Sequence, residues 1–318
     1  MKLFHSLLYP LLGGLFCLSC SDDEQDSGTK QPTTAGEVTF GVDLTGFSTR
    51  VTQDGSSWND GDKIGTYVLD MKTLEPVTEA ANVPYVCSEE GASVSFTSTT
   101  PLKVQNDGTP VKFVAYYPYN ADVRNFNYPV QLAAQERGST ACDLLYAATK
   151  EEYTYSPENE PHISLNFTHR LAKVILKFVN MEKEPLEVSD VRIEGMQTAA
   201  SFNIQTDVLT VDESSVATIN PYHNATTGFY EAIILPSALT DSYKVSFVLD
   251  DREKEWIFTN LDIALPQFHK GYSYTFALYI DDSGFVEMGR LENVEGGNSS
   301  APWEDGSSED GTAEGDKT

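Results

Sequence analysis

Positive charge is scarce in this chain of 318 residues. Its 21 Lys and Arg face 48 Asp and Glu, a formal net charge of −27. A balance of that sign excludes a nucleic-acid backbone or an anionic lipid face as the natural partner, because both would be repelled. Histidine is sparse too. The five are His5, His162, His169, His223 and His269, and no two show the ligand spacing of an HExxH helix. Phosphate-cradling glycine loops and the GxSxG nucleophile turn are missing. Asp60-Gly61-Asp62 lacks the twelve-residue register of a Ca²⁺ loop and reads as a hairpin turn. The carboxylates are many, but no two stand out as an acid–base pair. The chain therefore reads as a non-enzyme without cofactor or metal.

Long apolar runs are lacking as well, apart from one at the start. Leu3–Leu18, about 16 residues and preceded by Lys2, is too short for a membrane-spanning helix and is followed by acid rather than by Lys or Arg. That is the layout of a secretory signal peptide, so residues 1–19 are set apart from the fold. Cleavage between Ser19 and Cys20 makes Cys20 the first mature residue. Leu18-Ser19-Cys20 resembles the lipobox of bacterial lipoproteins, which implies thioether-linked acyl chains on Cys20, anchored through buried CH₂ groups. The acidic Ser21-Asp22-Asp23-Glu24 resembles the export tag of surface lipoproteins in Bacteroidetes. Residues 20–36 have the Ser, Thr, Gly, Pro and charge of a flexible tether.

Removing Cys20 from the thiol count leaves Cys87 and Cys142 as a candidate disulfide pair. An oxidising compartment permits the bond, and sequence alone does not show that the two meet.

The rest of the chain alternates with the two-residue period of strands. Such runs occur at residues 37–44, 63–69, 92–96, 111–117, 162–167, 171–179, 186–193, 228–235, 243–249, 255–258 and 272–280, punctuated by Gly, Asp and Pro. Sustained helical periodicity is absent, with a short helix expected only around Leu132–Glu136. The fold class is all-β, two tandem β-sandwich domains at 37–168 and 169–303, with a disordered acidic tail at 304–318. Trp58, Trp303 and the tyrosines of Ala115-Tyr116-Tyr117-Pro118-Tyr119 are read as core or corner residues rather than as a sugar-stacking platform.

Four stretches occur together in a telling order. They are Trp58-Asn59-Asp60-Gly61-Asp62-Lys63-Ile64-Gly65-Thr66-Tyr67, Phe113–Tyr119, Asp143-Leu144-Leu145-Tyr146-Ala147, and Leu165–Val174. In that order the chain resembles the fimbrillin-like (Mfa-like) proteins of the Bacteroidales. The resemblance implies transthyretin-like topology in both sandwiches and a place in surface fimbriae on the outer membrane. It also implies assembly by β-augmentation with other subunits. In this scheme a trypsin-like protease cuts after Arg50 and removes lipid, tether and first strand together. The segment Phe285–Val294 alternates only weakly for a donor strand, which points to a tip or accessory subunit rather than a shaft subunit. The alternative reading is a lipid-anchored glycan-binding lipoprotein of a nutrient-uptake system.

Overall fold

The computed structural model describes residues 35–43, 58–78, 81–91, 93–135, 138–180, 186–258, 267–280, 286–292 and 304–305. Among the described residues the fold is all-β, and the one helical element is a 3-10 turn, Ser139–Cys142.

The first half builds an eight-stranded sheet. Across it run His162–Ser164, Thr39–Asp43, Ser93–Thr97, Val83–Cys87, Lys63–Asp70, Val111–Tyr117, Leu145–Ala148 and Thr168–His169. Every pairing is antiparallel except Thr39–Asp43 against His162–Ser164. The ring of Phe40 lies 4.8 Å from that of Tyr85 and 5.8 Å from that of Phe113. Three strands separate Phe40 from Phe113 within the sheet, so the sheet bends round and closes on its own core.

The central strands of this sheet are covered on both faces. Ile64, Val68, Phe113 and Ala115 face the core inside the bend. Tyr67, Leu69, Val114 and Tyr116 face a second cluster. Burial on both sides is why Lys63–Asp70 and Val111–Tyr117 are almost continuously apolar instead of alternating.

The second half is a sandwich of two sheets. One holds Tyr222–Asn224, Phe229–Ile234, Ala172–Asn180, Tyr272–Ile280 and Val286–Glu292 in that order. Ala172–Asn180 and Tyr272–Ile280 pair in parallel. Glu304–Asp305 continues the far edge against Tyr272 and Ser273, so the expected disordered tail starts with two paired residues, while 306–318 lie outside the described residues. The facing sheet is Val188–Glu194, Lys244–Leu249 and Arg252–Ile257. Val174, Leu176, Phe276 and Leu278 from the first meet Ile193, Val245, Phe247 and Trp256 from the second in one core.

The halves are joined by more than a linker. Asn127–Gln131 pairs antiparallel with Ala199–Asn203, which also pairs with Val208–Val211. Around that small sheet Tyr116, Val130 and Leu132 pack with Phe202, Ile204, Ile233 and Leu235. The expected helix at Leu132–Glu136 does not form over Leu132–Gln135; Glu136 is outside the described residues. The buried Gln135 side chain instead works as a staple. Its amide donates to the carbonyls of Leu132 and Ile233, both at 2.7 Å, and its oxygen accepts from the Ile233 amide at 2.8 Å. An internal amide satisfied on both ends replaces the backbone bonds that a helix would have made.

Candidate strand-exchange site

Ala35–Glu37 and Thr39–Asp43 form one nearly continuous extended segment. Its alternation is complete: Gly36, Val38, Phe40 and Val42 are buried, while Ala35, Glu37 and Thr39 are exposed. A segment this apolar on one face must find cover, and here the cover comes from four places distant in sequence. Ser93–Thr97 flanks it on one side and His162–Ser164 on the other. Lys103–Gln105 pairs with its first three residues, and Tyr85 lies beneath Phe40.

Its backbone is bonded along its whole length. Val38 N–H donates to Leu102 O, and Thr39 N–H to Pro161 O, both at 2.9 Å. Leu165 N–H donates to Gly41 O at 2.9 Å. The Tyr85 hydroxyl, fully buried, donates to Val38 O at 3.0 Å and accepts from Leu102 N–H at 2.8 Å. Burial pushes that phenol up to about 12, against the pull of the Leu102 hydrogen bond. Glu37 and Lys103 add an exposed ion pair at 3.2 Å. The segment is thus a resident strand in a slot, inserted between two strands of the bent eight-stranded sheet.

The four sequence stretches that carried the resemblance prove to be scaffold around this slot. Trp58 is fully buried, with rings of Phe96, Tyr117 and Phe167 at 5.0, 5.3 and 5.6 Å, so it offers no sugar-stacking face. Gly61 turns the chain at φ +87°, where a side chain would be strained. Asp62 accepts from Asn59 N–H at 2.7 Å and from the Tyr117 hydroxyl at 3.3 Å, and its partial burial still pushes the carboxyl up. A Cβ on Gly65 would collide with the ring of Tyr116. The Tyr116 hydroxyl donates to Asn82 Oδ1 at 2.6 Å. Asp143 and His169 meet at 2.7 Å, both buried. Arg170 grips Asp207 with Nε at 2.5 Å and Nη2 at 3.0 Å, and its guanidinium lies 4.8 Å from the Tyr146 ring centroid.

Among the described residues no three His, Cys, Asp or Glu side chains converge as a metal site. Ser19, Cys20, Arg50 and Trp303 lie outside the described residues. The candidate pair Cys87 and Cys142 is not bridged in the structure; Cys87 is buried and Cys142 half-buried. They belong to opposite faces of the eight-stranded sheet: Cys87 is in the core inside the bend, and Cys142 packs against the cluster between the halves. Sequence reading missed Tyr85, Tyr155, Pro161 and His162 as slot residues. The signal that could have found them is the pair Gly36 and Gly41, since glycine in a strand marks close approach by something else.

Among the described residues the chain is all-β, two packed halves with the first described strand lodged in a slot of the first half. A family model described as fimbrillin-like matches residues 49–303, and the chain belongs to that family. No curated protein matches the chain. Among solved structures, a proposed cell-adhesion protein from Bacteroides uniformis ATCC 8492 is similar at 22% identity and a TM-score of 0.65, over 81% of this chain and 97% of that one. Another, from Bacteroides ovatus ATCC 8483, is similar at 14% identity and a TM-score of 0.61, over 82% and 97%. At these identities the shared property is the fold.

Proposed function

We propose that this protein is a surface-exposed subunit of fimbriae, structural or adhesive, tethered to the outer membrane through acylated Cys20 and joined to its neighbours by strand exchange. The observation that carries the reading is the lodged strand. Residues 35–43 are held by backbone hydrogen bonds and three buried side chains, and the next described residue is Trp58. Arg50 lies between them. A cut there leaves the strand bound only non-covalently, in a slot lined by unpaired backbone groups once it departs. A strand from another subunit restores those bonds without any new chemistry, which is β-augmentation. The family match begins at residue 49, after the resident strand, consistent with a mature body that starts near residue 50. The similarity to proposed adhesion proteins fits the same role. This reading assigns no catalytic group.

The test is intact-mass and N-terminal analysis of the protein recovered from its own cell surface. A start at acylated Cys20 supports an anchored subunit that keeps its strand. A start at Val51 supports a subunit whose slot is open to a partner. An unmodified chain starting elsewhere and found only as monomer sinks the reading.

A further inference from the structure

A cavity of about 440 Å³ lies on the face of the eight-stranded sheet turned away from the slot. Small-ligand sites commonly measure about 300–1,000 Å³. Its lining includes Tyr67, Tyr119, Phe126, Arg124, Asn82 and Asn125. Tyr67 comes from Lys63–Asp70 and is 4% exposed, and its ring lies 4.7 Å from that of Phe126. Its hydroxyl makes no hydrogen bond among the described residues, although a buried phenol usually finds a partner. Burial pushes this phenol up to about 12; Tyr119 adds to the rise and Arg124 opposes it. Both of those residues line the cavity, so the hydroxyl points into it, and it remains a donor across the physiological range.

The other polar groups are held in place beforehand. Arg124 Nη1 donates to Ala121 O at 2.7 Å and to Val123 O at 2.8 Å. That leaves the Nε–Nη2 edge, the same edge with which Arg170 grips Asp207, and no carboxylate among the described residues pairs with it. In a chain with 48 acids and 21 Lys and Arg, a cation without an internal partner is notable. The Asn82 amide donates to Asn120 O at 2.9 Å and accepts from the Tyr116 hydroxyl at 2.6 Å, which fixes it with one N–H to spare. Asn125 and Phe126 are the central residues of the turn from Arg124 to Asn127, at φ +51° and +62°. Left-handed backbone is unusual for so bulky a residue as Phe. Asn127 N–H to Arg124 O at 3.0 Å and Ile204 N–H to Phe126 O at 2.9 Å enforce it. Strain that the surroundings enforce in this way clusters at ligand sites.

We propose that this cavity binds a sugar residue bearing a carboxylate, with the pyranose ring against Phe126 and Tyr119, the carboxylate on Arg124 and a ring hydroxyl on Tyr67. Aromatic rings cover the C–H face of a pyranose. Phenols donate and accept, as sugar hydroxyls do, and the spare amide N–H adds a donor. The guanidinium edge matches a carboxylate with two parallel bonds. Among the described lining residues no acid opposes such a ligand. The site is independent of strand exchange, and it gives the adhesive side of the proposed role a ligand. Uronic acids and sialic acids share this chemistry.

The experiment titrates the full chain with the methyl glycosides of glucuronic, galacturonic and N-acetylneuraminic acid, and with methyl glucoside and methyl galactoside, followed by ligand-observed NMR. At least one acidic glycoside should bind at millimolar concentration or below, and whether it is a uronide or the sialoside names the source. The neutral glycosides should bind about tenfold more weakly or worse, since they lack the charge-assisted pair. Tyr67→Phe should weaken binding about 3–10-fold while leaving the melting temperature unchanged or raised, because the free protein loses no bond. A residue that only supported the fold would give the opposite pattern. Arg124→Gln should erase the preference for the carboxylate. The proposal is overturned if no acidic glycoside binds at millimolar concentration, if the neutral glycosides bind as tightly as the acidic ones, or if Tyr67→Phe keeps full affinity. None of these outcomes bears on strand exchange, which the N-terminal analysis above decides separately.

Discussion

The hydroxyl of Tyr85 stands between Val38 O and Leu102 N, at 3.0 and 2.8 Å, and ties the resident strand to the segment that covers its start. One phenol thereby satisfies two buried backbone groups. Tyr85→Phe should cost about 1–3 kcal/mol, the penalty of leaving a buried donor unpaired. Hydrogen exchange at the Leu102 amide checks this directly. Faster exchange with a lower denaturant midpoint is expected; unchanged exchange at Leu102 would show that the bond carries no weight.

Phe40 is the largest of the fully buried side chains of the resident strand, in edge contact with Tyr85 and Phe113. Phe40→Ala should destabilise the chain by about 3–5 kcal/mol. After a cut at Arg50 the variant should also release residues 35–43 faster than wild type. Equal release rates measured by mass spectrometry after cleavage would contradict the assignment of Phe40 as the strand's anchor.

Arg170 and Asp207 make a two-pronged ion pair, with side chains 12% and 34% exposed. The fork needs a guanidinium, and so does the face laid against Tyr146. Arg170→Ala should cost about 1.5–3 kcal/mol, and Arg170→Lys should recover only part of that. A double-mutant cycle with Asp207→Ala is the measurement. A coupling below about 0.5 kcal/mol would remove the pair from the account.

Burial pushes Tyr67, Tyr85, Tyr128 and Tyr146 up to about 12 from the ordinary 10.0. The folded pKa values lie above the unfolded ones, so the fold favours the neutral phenols. Their contribution to stability is complete below the unfolded pKa and is lost as pH rises from about 10 to about 12. Urea midpoints should fall over that window together with the rise of tyrosinate absorbance. Tyrosinate appearing well before any loss of stability would mean that the phenols titrate freely.

Burial also pushes the Cys87 thiol up, and its Sγ donates to Glu89 O at 2.8 Å. Cys142 is only half-buried. A maleimide at neutral pH should therefore label Cys142 first and Cys87 only on unfolding. Peptide mapping reads the order, and a mass change on reduction would reveal the bridge that the structure lacks.

Much of this fold was legible because burial writes itself into spacing. The runs at 63–69, 111–117, 171–179 and 272–280 are strands, as their apolar content requires. Ala199–Asn203 was not legible: Ala-Ala-Ser-Phe-Asn has little strand preference, and it becomes one because Asn127–Gln131 and Val208–Val211 pair with it on both sides. Val83–Cys87 was obscured by Pro84, which sits opposite Gly65. Leu132 and Gln135, three apart, imitate a helical face, yet Gln135 is buried for the sake of Ile233, ninety-eight positions away. The slot divides in the same manner. Val38, Phe40 and Val42 announce the strand, whereas Tyr155, Pro161 and His162 reach it from more than a hundred residues downstream, beyond any local pattern.

The parallel pairing of Thr39–Asp43 with His162–Ser164 sets a timetable. Thr39 and Pro161 are 122 positions apart, so the first strand to be synthesised has no complete berth until the whole first half has emerged. Closing so long a loop costs only a few kcal/mol more than closing a short one, but contacts of that separation form late. The resident strand's partners Ser93–Thr97 and Lys103–Gln105 are made long before that, so His162–Ser164 is the last piece of the berth to be synthesised. Until it pairs, the outer side of the resident strand is an open edge, the kind of edge on which another extended chain adds.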